Sequence, residues 1–378
     1  MPMASPSVTD RVTVRRTDPA SGHAAAPRRS PGELARRFLT LREGSIVVVT
    51  VLAAAYFAFK NDRFATHANF VTLLPYFAPF AILATGEVML MVAGEIDLSI
   101  GSVFLFAPFM FYEFNQAGLP LIPDLVLALA CCAVVGVING VVTEVVGVSS
   151  FITTLGMLLG LGGLTLIISH AAPVAMPGAE VTSKVVNVTH VVNGQTITLP
   201  EHVNEVGTFA KIFGAGTYAE LIWALVIVVA LQVVLTLTRW GMHTIAVGGN
   251  RHGAAEAGIR VKAVVIRNFV LCSLLAGFVG ILEAVRASSV QPDTAGASET
   301  MFRAVSAAVI GGTLLAGGQG TVVGALIGAL FLGILRDGLT IQGVNADYLD
   351  FILGLAILVA MCINIYVGRV RKGSGYVG

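Results

Sequence analysis

Three carboxylates, Glu87, Glu95 and Asp97, stand in or between apolar runs of the 378-residue chain. An ionised carboxylate in hydrocarbon is costly, so each is a candidate for contact with a solute, an ion or a neighbouring helix. Asp97 precedes Leu98-Ser99-Ile100-Gly101, a spacing that lets its side chain cap the following helix by accepting from the amide of Ser99 or Ile100. A place on a polar transport lining is the competing reading of Asp97. Glu87 sits mid-run beside Thr85 and Gly86, where an interhelical hydrogen bond and a solute or ion contact are both open. The amides of Asn139 and Asn268 either bridge helices or meet a hydroxylated solute, the bridge being their ordinary use in lipid.

Motifs for intrinsic catalysis are missing. No Gly-Lys-Ser or Gly-Lys-Thr occurs, and Leu315-Ala316-Gly317-Gly318-Gln319 is only superficially like the nucleotide-binding Leu-Ser-Gly-Gly-Gln signature, since it lies between apolar runs where no ATPase domain could surround it. No cofactor is expected on this chain, and any ATP-consuming site belongs to another polypeptide. Neither His-Glu-x-x-His nor Gly-x-Ser-x-Gly is present, and the seven histidines are scattered. Cys131, Cys132, Cys272 and Cys362 fall inside apolar runs with no CxxC spacing, so disulfide, zinc and iron-sulfur sites are not expected.

The elements that must position these residues follow from composition. Hydrophobic residues make up 56% and charged residues 12%, which excludes a soluble enzyme; a net charge of +1 gives no general attraction for nucleic acid. Forty-two glycines suit helices that touch closely in lipid. The fold class is an all-α polytopic membrane protein. Runs of roughly 20 apolar residues, cut at charges, glycine clusters and proline, give ten spans near 45–60, 70–93, 97–115, 123–147, 150–170, 218–238, 263–286, 301–316, 319–336 and 349–368. Several are short or closely spaced, which points to broken or re-entrant helices among them.

Residues 1–44 hold eight arginines and no lysine, an Arg-rich tail. Ser30-Pro31-Gly32-Glu33 then reads as a capping box, with Leu34, Phe38 and Leu41 on one face of an interfacial helix. The run at 45–60 is read as an uncleaved first span. Basic residues are dense in 1–44, in 239–262 and in 369–378, but 171–217 carries only Lys184 and Lys211. Ten spans with both termini cytoplasmic place 171–217 outside and 239–262 inside, in keeping with that asymmetry. Within the outer loop, a valine-rich stretch, Asn193-Gly194 and Thr196-Ile197-Thr198-Leu199 predict a small β-hairpin with a type I′ turn.

Ala246 to Ile259, on the inner side, predicts a turn, a short Ala-rich helix and a glycine at the position just after it. A partner ATPase could push on such a helix; an ordinary interspan loop is the alternative. Gly136 with Gly140, Gly324 with Gly328, and the cluster Gly160, Gly162 and Gly163 read as packing surfaces.

Four stretches in order resemble the membrane permeases of bacterial ABC importers for monosaccharides of the ribose, xylose and arabinose type. Gly94-Glu95-Ile96-Asp97-Leu98-Ser99-Ile100-Gly101-Ser102 is similar to that family's Gly-Gly-Ile-Asp-Leu-Ser-Val-Gly-Ser, with Glu95 departing from the commoner glycine. Phe151-Ile152-Thr153-Thr154-Leu155-Gly156 resembles its Phe-Ile-x-Thr-Leu-Gly element. Ala246 to Lys262 is similar to its cytoplasmic Gly-Gly-Asn loop, and Ile310 to Gly320 to its Ile-Gly-Gly-Thr-x-x-x-Gly-Gly-x-Gly pattern.

The resemblance implies a homodimer in the bacterial plasma (inner) membrane, with a cytoplasmic ATP-binding subunit and an extracytoplasmic sugar-binding protein. It implies that Gly248, Gly249, Asn250, Glu256 and Gly258 receive the ATPase stroke. Ser99, Asn139, Thr153 and Thr154, with Glu87 and Asp97, are the expected substrate pathway. The rival readings are an ABC permease for branched-chain amino acids or nucleosides, and a secondary transporter that uses the carboxylates as a proton relay.

Overall fold

The computed structural model describes residues 44–192, 195–345, 348–349, 351–359 and 361–362, with backbone alone at 181–204. The N-terminal tail with its capping box and interfacial helix, the Asn193-Gly194 turn and the C-terminal 369–378 segment lie outside the described residues.

The elements are α1 (Gly44–Lys60), α2 (His67–Val92), α3 (Ile100–Gln116), α4 (Leu121–Val141), α5 (Ser150–Ile168), α6 (Thr208–Ile212), α7 (Ala219–Leu237), α8 (Arg239–Gly249), α9 (Arg251–Glu256), α10 (Val261–Ala287), α11 (Thr294–Ile310) and α12 (Val322–Ile341). A π-helical turn, Val142–Val146, extends α4. Strands are few: β1 (Val174–Ala175) pairs antiparallel with β4 (Ser289–Val290), and β2 (Val181–Val192) with β3 (Gln195–Val206) in a register running from Val181 opposite Val206 to Val192 opposite Gln195.

Among the described residues, six helices are long and apolar enough to cross a membrane: α2, α4 with its π turn, α5, α7, α10 and α12. α1, α3 and α11 have 17 residues each, and residues 351–359 are helical. Two boundaries differ from the sequence expectation. The run expected at 97–115 turns helical only at Ile100, because Asp97 and Ser99 close a hydrogen-bonded turn in front of it. The run expected at 301–316 starts at Thr294, where Asp293 caps the helix by accepting from the amides of Ala295 and Gly296, and ends at Ile310. Glu299 lies just before the expected apolar run, and the cap at Asp293 carries the helix past it.

α2 is the hub. It packs on α12, α10, α11 and α7, and from Ala81 to Val92 every residue is buried, as an all-round apolar helix requires. Pro75 and Pro79 lie within it, so the carbonyls of Val71 and Pro75 lose their helical donors. Glycine sets the closest approaches. A Cβ at Gly136 or Gly140 would press on the α10 backbone at Phe269–Val270 and Ile266, and one at Gly324 or Gly328 on the α11 backbone at Gly311 and Ala307. The third small-residue cluster differs from expectation: Gly160 and Gly163 face open space, and only Gly162 meets neighbours, at 3.6 Å from Thr294.

Candidate functional site

At one end of the bundle the chain leaves α2 through Ala93 to Ser99, and this non-helical segment gathers most of the candidate residues. Asp97 is fully buried. Its Oδ1 accepts from the Ser99 amide at 2.8 Å and from the Ser99 hydroxyl at 2.5 Å, the local side-chain turn that competes with helix. Asn139 of α4, equally buried, donates to Ser99 Oγ at 2.9 Å. Asp97 Oδ2 and Asn139 Oδ1 have no hydrogen-bond partner. The structure therefore joins Asp97, Ser99 and Asn139 in one buried relay. Glu87 lies near it, close enough to feel the Asp97 charge and backbone amide, and accepts weakly from Cys272 Sγ at 3.7 Å.

α5 holds the same segment from the other side through every fourth residue. Ser150 Oγ accepts from the Ile96 amide at 3.4 Å, Thr154 Oγ1 accepts from the Leu98 amide at 3.0 Å, and the Leu158 carbonyl accepts from Ser102 at 2.7 Å. Thr154 is thus fully occupied, since its hydroxyl also donates to the Ser150 carbonyl at 2.7 Å. Thr153, one residue earlier and so turned about 100° round the helix, is half-buried with no partner for its hydroxyl.

Below this relay three glycine segments meet backbone to backbone. Gly318, with φ +75°, donates its amide to the Val92 carbonyl at 2.8 Å. A Cβ at Gly248, in the last turn of α8, would collide with the Val92 carbonyl and lie 2.6 Å from the Gly318 nitrogen. Gly317, at φ +84°, stands against Gly94 and Gly248. Only glycine permits this convergence.

α9 follows directly. Asn250 caps it by accepting from the Gly253 amide at 2.9 Å, and Gly258 at φ +82° ends it, with Ile259 N–H bonded to the Ala254 carbonyl. That is the turn, short helix and terminal glycine which the segment's composition predicts. Glu256 is exposed on its last turn, and Gly249 meets open space.

The sequence reading missed what holds α9 in place. Arg251 Nη1 donates to Glu95 Oε1 at 2.8 Å, and its Nη2 pairs with Glu144 on the π-helical turn after α4. Burial disfavours the guanidinium's charge, but the bonds to Glu144 and Glu95 more than offset this and hold Arg251 above its ordinary value. Glu144 carried a visible signal, being a buried acid near the end of an apolar run. Asn268 of α10 completes the brace: it donates to the Met89 carbonyl at 3.0 Å and to Thr244 at 3.3 Å, and accepts from Trp240 Nε1 at 2.7 Å. It is a helix bridge.

Residues 69–361 match the family described as branched-chain amino acid transport system / permease component. The chain is 33% identical over 341 residues to the xylose/arabinose import permease protein XylH of Sulfolobus acidocaldarius, covering 88% of this chain and 86% of that protein. It is 31% identical over 333 residues to the ribose import permease protein RbsC of Escherichia coli strain K12, covering 87% and 96%. Against the ribose import permease protein RbsC of Bacillus subtilis it is 29% identical over 319 residues, covering 84% and 89%. No solved structure matches.

Proposed function

Because the chain belongs to the family of branched-chain amino acid transport system permease components, we infer that it is the transmembrane permease subunit of an ATP-driven monosaccharide importer. It is a transporter component rather than an enzyme. The relatives at 33% and 31% identity carry sugar-import names, and the alignments cover 86% and 96% of their length. ATP is hydrolysed on a separate cytoplasmic subunit, and an extracytoplasmic binding protein delivers the sugar. The chain is a multi-pass protein of the plasma (inner) membrane.

The finer reading is a homodimer with ten crossings and both termini inside. Six long helices, with α1, α3, α11 and the helical 351–359 stretch as further crossings, support this reading, in which the β2–β3 pair lies outside and α9 inside. The open face of α5, with Gly156, Gly160 and Gly163 beside exposed Phe151, Ile152 and Leu159, supports a second copy seated there. Sugar passes by alternating access, ATP-driven closure of the partner shifting the balance between outward-open and inward-open states.

The observation that carries the coupling is the Arg251 latch. α9, exposed towards the ATPase side, is tied through Glu95 to the segment that bears Asp97 and Ser99, only two and four residues on. Movement of α9 therefore bears on the Asp97–Ser99–Asn139 relay, the proposed pathway together with Glu87, Thr153 and Thr154. Gly248, Gly249, Asn250, Glu256 and Gly258 form the coupling surface.

The test is ATP turnover in liposomes holding this chain, its ATPase and its binding protein, with pentoses and hexoses added in turn. One sugar should raise turnover only when all three components are present. A branched-chain amino acid or a nucleoside doing so instead would move the assignment within the family. Uptake by the chain alone, abolished by a protonophore at constant ATP, would replace it with a carboxylate proton relay.

A further inference from the structure

Opposite the Arg251 latch, towards the other end of the bundle, lies a charged cavity of about 240 Å³. Its walls come from α2 (Tyr76, Pro79, Phe80), from Phe104 of α3, from the last turns of α10 (Glu283, Arg286), from the first half of α11 (Thr300, Arg303) and from Arg336 of α12. Ionisable groups inside apolar spans are costly and mark solute paths by default. Here they cluster, although charged residues are only 12% of the chain.

The cluster is neutral as a set. Arg286 pairs with Glu220 at 2.8 Å and Glu283 at 2.6 Å, while Arg303 and Arg336 share Glu299, Arg336 at 3.1 Å. Among the described residues the set thus interleaves basic and acidic groups around the cavity. Each guanidinium nevertheless carries five N–H donors in a planar fork. Among the described residues both Arg303 and Arg336 contact Glu299, and both guanidiniums line the cavity. Their planes also lie over rings, Arg303 at 5.3 Å from Phe80 and Arg336 at 5.7 Å from Tyr76. Pro75 and Pro79 line the same cavity and remove two backbone donors from α2, which loosens that wall.

We propose that this cavity is the site that first receives the sugar from the external side. The inference rests on the sugar-importer reading and adds a place to it. Aromatic walls meet the C–H face of a sugar ring, while guanidinium and carboxylate groups bond its hydroxyls. The volume is below the roughly 300–1,000 Å³ of drug-sized sites, which suits a single ring. The Asp97–Ser99–Asn139 relay, by contrast, is closed within this chain, each of its side chains being fully buried. The receiving cavity and the relay lie in the outer and inner halves of the same bundle, α2 running from the cavity to the segment that bears Asp97 and Ser99.

The experiment places Thr300→Cys in a Cys362→Ser background and assembles it in liposomes with the ATPase and the binding protein. A membrane-impermeant thiol reagent is added outside, with and without ribose or xylose, whichever the vesicles transport. At ten times its dissociation constant the sugar should occupy about nine-tenths of the sites and slow labelling about tenfold. Labelling unchanged by saturating sugar in vesicles that still take it up overturns the receiving site alone. So does a failure of the reagent to reach Thr300→Cys, since the cavity must open outward. Vesicles that take up no sugar with all components present and the parent chain in place instead sink the importer reading. Tyr76→Trp, which keeps the aromatic face, gives a second readout: its fluorescence should change on adding the sugar, and silence counts against the proposal.

Discussion

Arg251 is the residue on which coupling should depend most. Arg251→Ala leaves Glu144, whose side chain is 3% exposed, without its cation. The loss of stability should fall short of the ~3–5 kcal/mol of a fully buried pair, because half of the guanidinium meets solvent. Turnover measured with and without sugar-loaded binding protein should show the basal rate kept and the stimulation lost. Glu95→Gly should act more mildly, since the Glu144 pair survives. Asp97 separates a turn-forming role from a charge-bearing one. Asp97→Ala strands the amide and hydroxyl of Ser99, an expected loss of about 1–3 kcal/mol in the thermal unfolding of the purified protein. Asp97→Asn keeps an acceptor and loses only the charge. Uptake near the parent level in Asp97→Asn would assign the residue to the turn, whereas loss in both variants at equal folding would assign it to the path. The Asp97 turn was legible because its acceptor lies two residues from its donor. Arg251's partners are 156 and 107 residues away, and nothing in local spacing announces them.

At the scale of elements, glycine positions divide into two kinds that the sequence does not tell apart. Gly248→Ala would drive a methyl group into the Val92 carbonyl, with an overpacking cost of about 1–3 kcal/mol, and should lower both the unfolding midpoint and uptake. Gly160→Ala meets nothing within the chain and should stabilise α5 by up to about 1 kcal/mol, as glycine is a poor helix former. If a second copy covers that face, Gly160→Leu should reduce the cross-linked dimer fraction while leaving the monomer folded; an unchanged fraction would place lipid there instead. Long, apolar elements such as α4, α5, α7 and α12 were visible as runs of hydrophobic residues. α11 was displaced because its start is set by a cap at Asp293 and its first turns carry Glu299, which an apolar window rejects. The charged cavity was not foreseen, because its members come from five separate segments.

For the whole molecule, the proposed ten-pass topology makes a sidedness prediction. Glu180→Cys, next to β2, should react with an impermeant reagent from outside in intact cells, and Glu256→Cys on α9 only after the membrane is opened. Reaction of both from the same side would overturn the topology. The order of apolar segments made the all-α, multi-pass class readable, because insertion into lipid is decided segment by segment. What remained hidden was everything that closes through space between distant segments. The glycine junction is the extreme case, since it brings together residues near 94, 248 and 317. Contacts of such separation wait for the intervening chain and form late. During synthesis, Gly248 meets the Val92 backbone early but gains Gly318 only once the loop after α11 has been made, so the junction around α8 is completed only when most of the bundle is in place. A chain stalled before residue 317 would present an unfinished inner surface, and the ATPase would have nothing rigid to grip.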